Sequence, residues 1–304
     1  MSTSGFVATL RARAARRQAR IVFPEAGDPR VQAAVAVLHA ERLVQPILVL
    51  DPQAQGAPPA VPAGIEVIDP STDPRRARVR EDLLARLASR GLDASEAERR
   101  SRDPLLFADN LVCHGDVDGC VAGCATTTAD VIRAALWMVG RASGVQTVSS
   151  AFYMVTHGFR STGEGVLTFT DCAVVPRPTA TQLADIAVAA VHDRRRIVGD
   201  EPVVAFLSFS THGSAEGESV TRVREAVRLT RVRLPDVAVD GELQADAALI
   251  AGIGQRKAPG SAVTQATFTI SSTEAPRDRS LHGRARPWTI GPIALASASR
   301  STSL

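Results

Sequence analysis

Residues 203–214 read VVAFLSFSTHGS. An apolar run, 203–207, ends in small hydroxyls and glycine: Ser208, Ser210, Thr211, Gly213 and Ser214. Residues 216–231 follow, charged but with apolar side chains at Val220, Val223, Val227 and Leu229. This order predicts a strand, a Ser/Gly turn and a helix. Such a turn leaves unpaired backbone N–H groups at a helix N-terminus, beside hydroxyl donors. That chemistry suits a phosphate or another oxyanion. The plainer reading is an ordinary βα connection with serine as N-cap.

The same unit recurs upstream. Residues 118–123 (DGCVAG) read as a compact buried strand that runs into 124–133 (CATTTADVIR) and a helix through Val139. Either Thr127 or Thr128 caps that helix, or these hydroxyls face a ligand. In open α/β sheets ligands bind at the carboxyl ends of strands, where such turns cluster. Residues 20–24 (RIVFP) and 45–51 (QPILVLD) read as strands around a helix at 31–43, the spacing of a parallel sheet. A third short strand falls at 65–69, then a charged helical region over 74–102 broken near Gly91, then a helix over 104–113 with a His114-Gly115 C-cap. Residues 147–156 and 165–171 are strand-like, and 179–193 form an amphipathic helix with Thr179 as N-cap.

A strand at 236–240 leads into 241–249, where Asp240, Glu242 and Asp246 sit close together. Paired acids do acid–base or metal work. Solvated acids at a helix start are the plainer account. From Phe268 to Leu304 the composition shifts to Ser, Arg, Thr and Pro, and only 290–295 reads as a buried strand or turn.

The 304 residues suggest two domains, and 45% apolar with 22% charged content allows a sizeable core. No apolar run approaches the roughly 18 to 20 residues of a membrane span. The arginine-containing N-terminus has no apolar core of a secretion signal. Net charge is only +3, and the Arg-rich spots are not interleaved with aromatics, which argues against nucleic acid as a partner. Cys113, Cys120, Cys124 and Cys172 include no CxxC pair and read as buried free thiols. Together these features point to the cytosol.

Taken in order, several stretches resemble the phosphate acetyltransferase (phosphotransacetylase) family, which includes phosphate butyryltransferases. They are 20–30 (RIVFPEAGDPR), 118–136 (DGCVAGCATTTADVIRAAL), 169–184 (FTDCAVVPRPTATQLA), 203–214, 240–249 (DGELQADAAL) and 257–261 (KAPGS). The resemblance implies an α/β fold of two αβα-type domains with mostly parallel sheets and a cleft between them, of the isocitrate/isopropylmalate dehydrogenase kind. The domains would be 1–147 and 148–266, with 267–304 an atypical tail that in the family returns to the first domain. It implies reversible acetyl transfer between coenzyme A and inorganic phosphate, and a homodimer. Coenzyme A, acetyl-CoA, phosphate and acetyl phosphate are then substrates; no tightly bound cofactor and no metal is required. Thr127, Thr128 and Arg133 match the family's Thr-Thr-Ala-Asp-x-x-Arg turn. Ser208, Ser210, Thr211, Gly213 and Ser214 match its Ser-rich loop. These are the expected substrate-binding residues.

Departures accompany the match. His212 stands where the family usually has Lys, and Thr126 where it often has His. Residues 268–288 match poorly, while Ile290-Gly291-Pro292 echoes a family strand. Ser299-Arg300 is the counterpart of the family's catalytic Ser-Arg, at too short a spacing and with no acid after it. The expectation is a phosphate acetyltransferase with a degenerate catalytic C-terminus and weak activity. The rivals are a non-catalytic coenzyme A- and phosphate-binding or dimerising member, and an NAD-dependent dehydrogenase of similar architecture. Against the latter, no GxGxxG follows the first strand of this chain.

Overall fold

The computed structural model describes residues 5–54, 61–159, 163–263, 265–271 and 293–295. They form two compact units. One comprises residues 9–142 with 293–295, and the other 143–271 with 5–8.

The first unit runs α1 (Gly5–Arg17, shared with the other unit), β1 (Arg20–Phe23), α2 (Pro29–Ala40), β2 (Gln45–Val49), β3 (Glu66–Ile68), α3 (Arg76–Leu87), α4 (Ala94–Arg100), α5 (Pro104–His114), β4 (Gly119–Ala122) and α6 (Thr128–Met138). Strands β4, β1, β2 and β3 lie side by side and parallel. Successive side chains of a strand face opposite ways, so each strand feeds two cores. Val22, Ile47 and Val49 pack with α3, α5 and α6 on one face. Phe23 and Leu48 pack with Val31 and Val35 of α2 on the other. The helices start where the sequence supplies caps. Asp28 accepts from Arg30 N ahead of Pro29, Asp103 accepts from Leu105 and Leu106 N ahead of Pro104, and Gly115 closes α5 at φ 75°.

The second unit runs β5 (Ala151–His157), β6 (Glu164–Thr170), α7 (Ala180–Ile197), β7 (Val203–Leu207), α8 (Glu218–Arg233), β8 (Ala238–Leu243), α9 (Ala245–Leu249), α10 (Ala251–Lys257) and β9 (Phe268–Ser271). The sheet order is β5-β6-β9-β7-β8, parallel except for the antiparallel β5–β6 pair. Val204, Phe206, Phe268 and Ile270 pack with α7 and α8. Ala205 and Leu243 pack on the opposite face with α9 and the 258–266 segment. Arg194 is 1% exposed. Its guanidinium donates to Val166 O (2.9 Å), Thr168 Oγ1 (2.8 Å) and Thr267 O (2.9 Å), and Asp200 neutralises it. It stitches β6 to the chain entering β9, and its own buried charge is paired with Asp200.

Two sequence readings are corrected here. Residues 268–271 are not irregular: they form β9, a central strand hydrogen-bonded between β6 and β7. Phe268 and Ile270 are 0% and 1% exposed, so this strand is core. The last described piece, β10 (Ile293–Leu295), pairs antiparallel with β4. The second correction concerns the acids. The strand expected at 236–240 runs on to Leu243, so Asp240 and Glu242 are strand residues and not the start of a helix.

Among the described residues three buried side chains, Asp109, Tyr153 and Thr269, each keep an oxygen without a hydrogen bond. Asp109 on α5 is 4% exposed, and its Oδ2 has no hydrogen bond among the described residues. Burial pushes its pKa from 3.8 up to about 7. The raised value means the folded state holds this proton, so stability is full at low pH and falls as pH rises through about 7. The loss reaches at most about 4 kcal/mol for a shift of roughly three units. In thermal melts from pH 4 to 9 the parent should lose stability relative to Asp109→Asn as pH rises from about 4 to about 7, with no further divergence above that. An identical pH profile for both would remove Asp109 as the cause.

Candidate active site

In the first unit the carboxyl ends of β1 and β4 meet around one side chain. Glu25, just past β1, accepts from Cys124 N (2.8 Å), Ala125 N (2.8 Å) and Thr126 N (2.6 Å). Burial alone would raise its pKa, but these N–H groups outweigh it and hold the carboxyl below its ordinary value. Arg30 adds a bond to Cys124 O (2.6 Å) and pairs with Asp28. The turn N–H groups expected to be free are therefore occupied by an internal carboxylate. Thr127 is the N-cap of α6, accepting from Asp130 N (3.2 Å) and donating to Asp130 Oδ2 (2.6 Å). Arg133 pairs with Asp130 at 2.5 Å, with half its side chain in solvent. Thr127 and Thr128 are exposed.

In the second unit the loop after β7 is wound around Glu242. This carboxylate is 2% exposed. It accepts from Gly213 N (2.8 Å), Ser210 Oγ (3.1 Å) and Arg224 Nε (2.9 Å). Burial pushes its pKa up, yet Arg224, the Gly213 N–H and the Ser210 hydroxyl prevail and bring it down to about 2. Other N–H groups of the loop also find partners inside the protein. Ser208 N bonds Leu243 O (2.8 Å), Thr211 N bonds Ser214 Oγ (2.9 Å), His212 N bonds Glu242 O (3.1 Å) and Ala215 N bonds Ser210 Oγ (3.1 Å). Gly213 sits at φ 84°, a conformation glycine adopts without strain. Helix α8 begins only at Glu218, so the serines are not at its N-terminus as the sequence suggested.

The loop divides its predicted residues. Ser210 (0% exposed) and Thr211 (5%) are structural. Ser208 is partly exposed, and Gly213 and Ser214 face solvent beside His212 and Phe209. His212 Nε2 lies 3.3 Å from Asp240 Oδ2. Asp240 is buried and also receives Arg231 (2.7 Å) and the Ser261 hydroxyl. Asp246 is partly exposed and salt-bridged to Lys257 (2.7 Å), which also donates to Gln244 Oε1 (2.9 Å). The three acids thus point to three separate cations and form no shared centre. Among the described residues no group of three or more His, Cys, Asp or Glu is placed to hold a metal. All four cysteines are free and partly exposed.

Sequence reasoning missed Glu25, Arg224 and Asp171. Asp171, at the end of β6, accepts from Ser150 N (2.8 Å), Val174 N (3.1 Å) and Val175 N (2.5 Å) and orders the 172–175 turn. Each lies inside a stretch noted in the sequence; Glu25 and Arg224 find partners 100 and 18 residues away, whereas Asp171 bonds Ser150 and the nearby Val174 and Val175. Ser299 and Arg300 lie outside the described residues.

A family model for phosphate acetyl/butaryl transferase matches residues 5–269. The chain is 39% identical over 273 residues to the phosphate acetyltransferase of Treponema pallidum, covering 87% of this chain and 81% of that protein. It is 43% identical over 244 residues to that of Paracoccus denitrificans, covering 80% and 74%. Among solved structures, a phosphotransacetylase from Streptococcus pyogenes superposes with a TM-score of 0.77 at 31% identity, over 90% of this chain and 82% of that one. One from Staphylococcus aureus gives 0.74 at 31%, over 88% and 81%.

Glu242→Gln keeps the shape and removes the charge that Arg224 and Gly213 N–H face. Because the folded pKa is lowered from 4.5 to about 2, this carboxylate stabilises above its ordinary range and ceases to as pH falls through about 2. Urea unfolding should show a loss of about 3 kcal/mol at pH 7 that shrinks below pH 4. A loss independent of pH would contradict the assignment.

Proposed function

Because the chain belongs to the phosphate acetyl/butaryl transferase family, we propose that it catalyses acetyl-CoA + phosphate = acetyl phosphate + CoA. The match across 5–269, with its Thr-rich and Ser-rich loops at the carboxyl ends of parallel strands, is the observation that carries this reading. In the acetyl phosphate-consuming direction a base takes the coenzyme A thiol proton. The thiolate attacks the acetyl carbon, the carbon–oxygen bond to phosphate breaks, and phosphate leaves. The charge that develops must meet cations and hydrogen-bond donors. Thr127, Thr128 and Arg133 supply these in the first unit, and Ser208, Gly213 and Ser214 in the second. Ser210 and Thr211 act by holding their loop. Ser299 and Arg300 are assigned the catalytic pair. The enzyme works as a cytoplasmic homodimer, with coenzyme A as a substrate and no resident cofactor.

The test is coenzyme A-dependent formation of acetyl thioester from acetyl phosphate. Turnover supports the reading. Coenzyme A binding by calorimetry without turnover contradicts it and favours a binding-only protein. Arg133→Gln should raise the acetyl phosphate KM about tenfold, the loss of one charge-assisted contact, and leave the melting temperature unchanged. An unaltered KM would remove Arg133 from the site.

A further inference from the structure

The hydrogen bonds of Glu25 are those of a bound anion. Its carboxylate takes consecutive N–H groups of Cys124, Ala125 and Thr126, directly before the N-cap of an eleven-residue helix. Backbone donors converging ahead of a helix make a concavity that favours negative charge. Here the protein fills it from the residues just past β1, a hundred positions earlier in the chain. The surrounding contacts fix that arrangement: Arg30 donates to Cys124 O, and Asp28 caps α2 and pairs with Arg30.

We propose that Glu25 is a positioning residue: an internal anion that fixes the 124–126 turn and thereby aims the Thr127 and Thr128 hydroxyls and Arg133 at the phosphoryl group. The proposal rests on the assignment of those three residues to acetyl phosphate. The filled cradle leaves no N–H donor of residues 124–126 for substrate, so recognition of the phosphoryl group in this unit falls to side chains. Glu25 touches no reacting atom and acts only through the turn. Removing its carboxylate empties the cradle, and a small free carboxylate of the same chemistry can refill it. Acetate is the fragment that Glu25→Ala deletes.

The experiment compares the full chain, Glu25→Ala and Glu25→Gln, with and without added sodium acetate at constant ionic strength. In Glu25→Ala the acetyl phosphate KM should rise about tenfold with the coenzyme A KM changed less than about twofold, and acetate should lower it again. Acetate should also raise the melting temperature of Glu25→Ala and not that of the parent. Glu25→Gln fills the space without charge, so its KM should rise and acetate should have no effect. If Glu25→Ala does not fold, the Glu25→Gln KM decides. Unchanged acetyl phosphate KM in both variants overturns the proposal, as does an equal loss for both substrates with no response to acetate. A parent without coenzyme A-dependent turnover defeats the functional reading instead; acetate-dependent melting of Glu25→Ala still judges the cradle.

Discussion

Carboxylates that accept backbone N–H groups order the loops at the carboxyl ends of both sheets. Glu25 holds residues 124–126, Asp171 holds 150 and 174–175, and Glu242 holds 213. A buried N–H without an acceptor costs about 1–3 kcal/mol, and a charged acceptor makes the bond stronger than a neutral one. Parallel strands deliver all their chain reversals to two edges, so the edge that carries chemistry is also the one crowded with loop backbone. Using internal acids there satisfies the backbone and leaves a defined set of exposed side chains. Hydroxyls and cations are among the side chains left exposed on these turns, while the amides stay engaged.

Close packing sets the second condition. Gly241 lies where β8 passes β7, and an added Cβ would come within 2.8 Å of the Phe206 carbonyl oxygen and of its Cβ. No side chain fits there without moving backbone. That close approach puts Glu242 under the Ser-rich loop. Strand β9 fills the gap between β6 and β7, and Arg194 ties its approach to β6. Without β9 the sheet would split, exposing Phe206 and the α7–α8 core that Phe268 and Ile270 share.

Much of this was legible in the residues. The apolar runs at 20–23, 45–49 and 203–207 became strands, and Thr179 caps α7 through a capping box with Gln182. The break near Gly91 is a left-handed turn between α3 and α4. The family was legible because several motifs agreed in order. Residues 268–271 were not: FTIS is short, rich in hydroxyls and followed by a Ser/Arg/Pro stretch, and only its neighbours make it a core strand. The fate of the loop amides was equally hidden. A turn read in isolation has free donors; the acceptors Glu25 and Glu242 arrive from 100 and 29 residues away. Local spacing carries no record of such pairings.

The most direct test is a crystal structure of the protein with inorganic phosphate and coenzyme A bound. The account predicts Glu25 still seated on the 124–126 amides and Glu242 still on Gly213, with phosphate held through side chains, Thr127, Thr128 and Arg133 among them. Phosphate resting on the 124–126 amides, with Glu25 turned away, would contradict it.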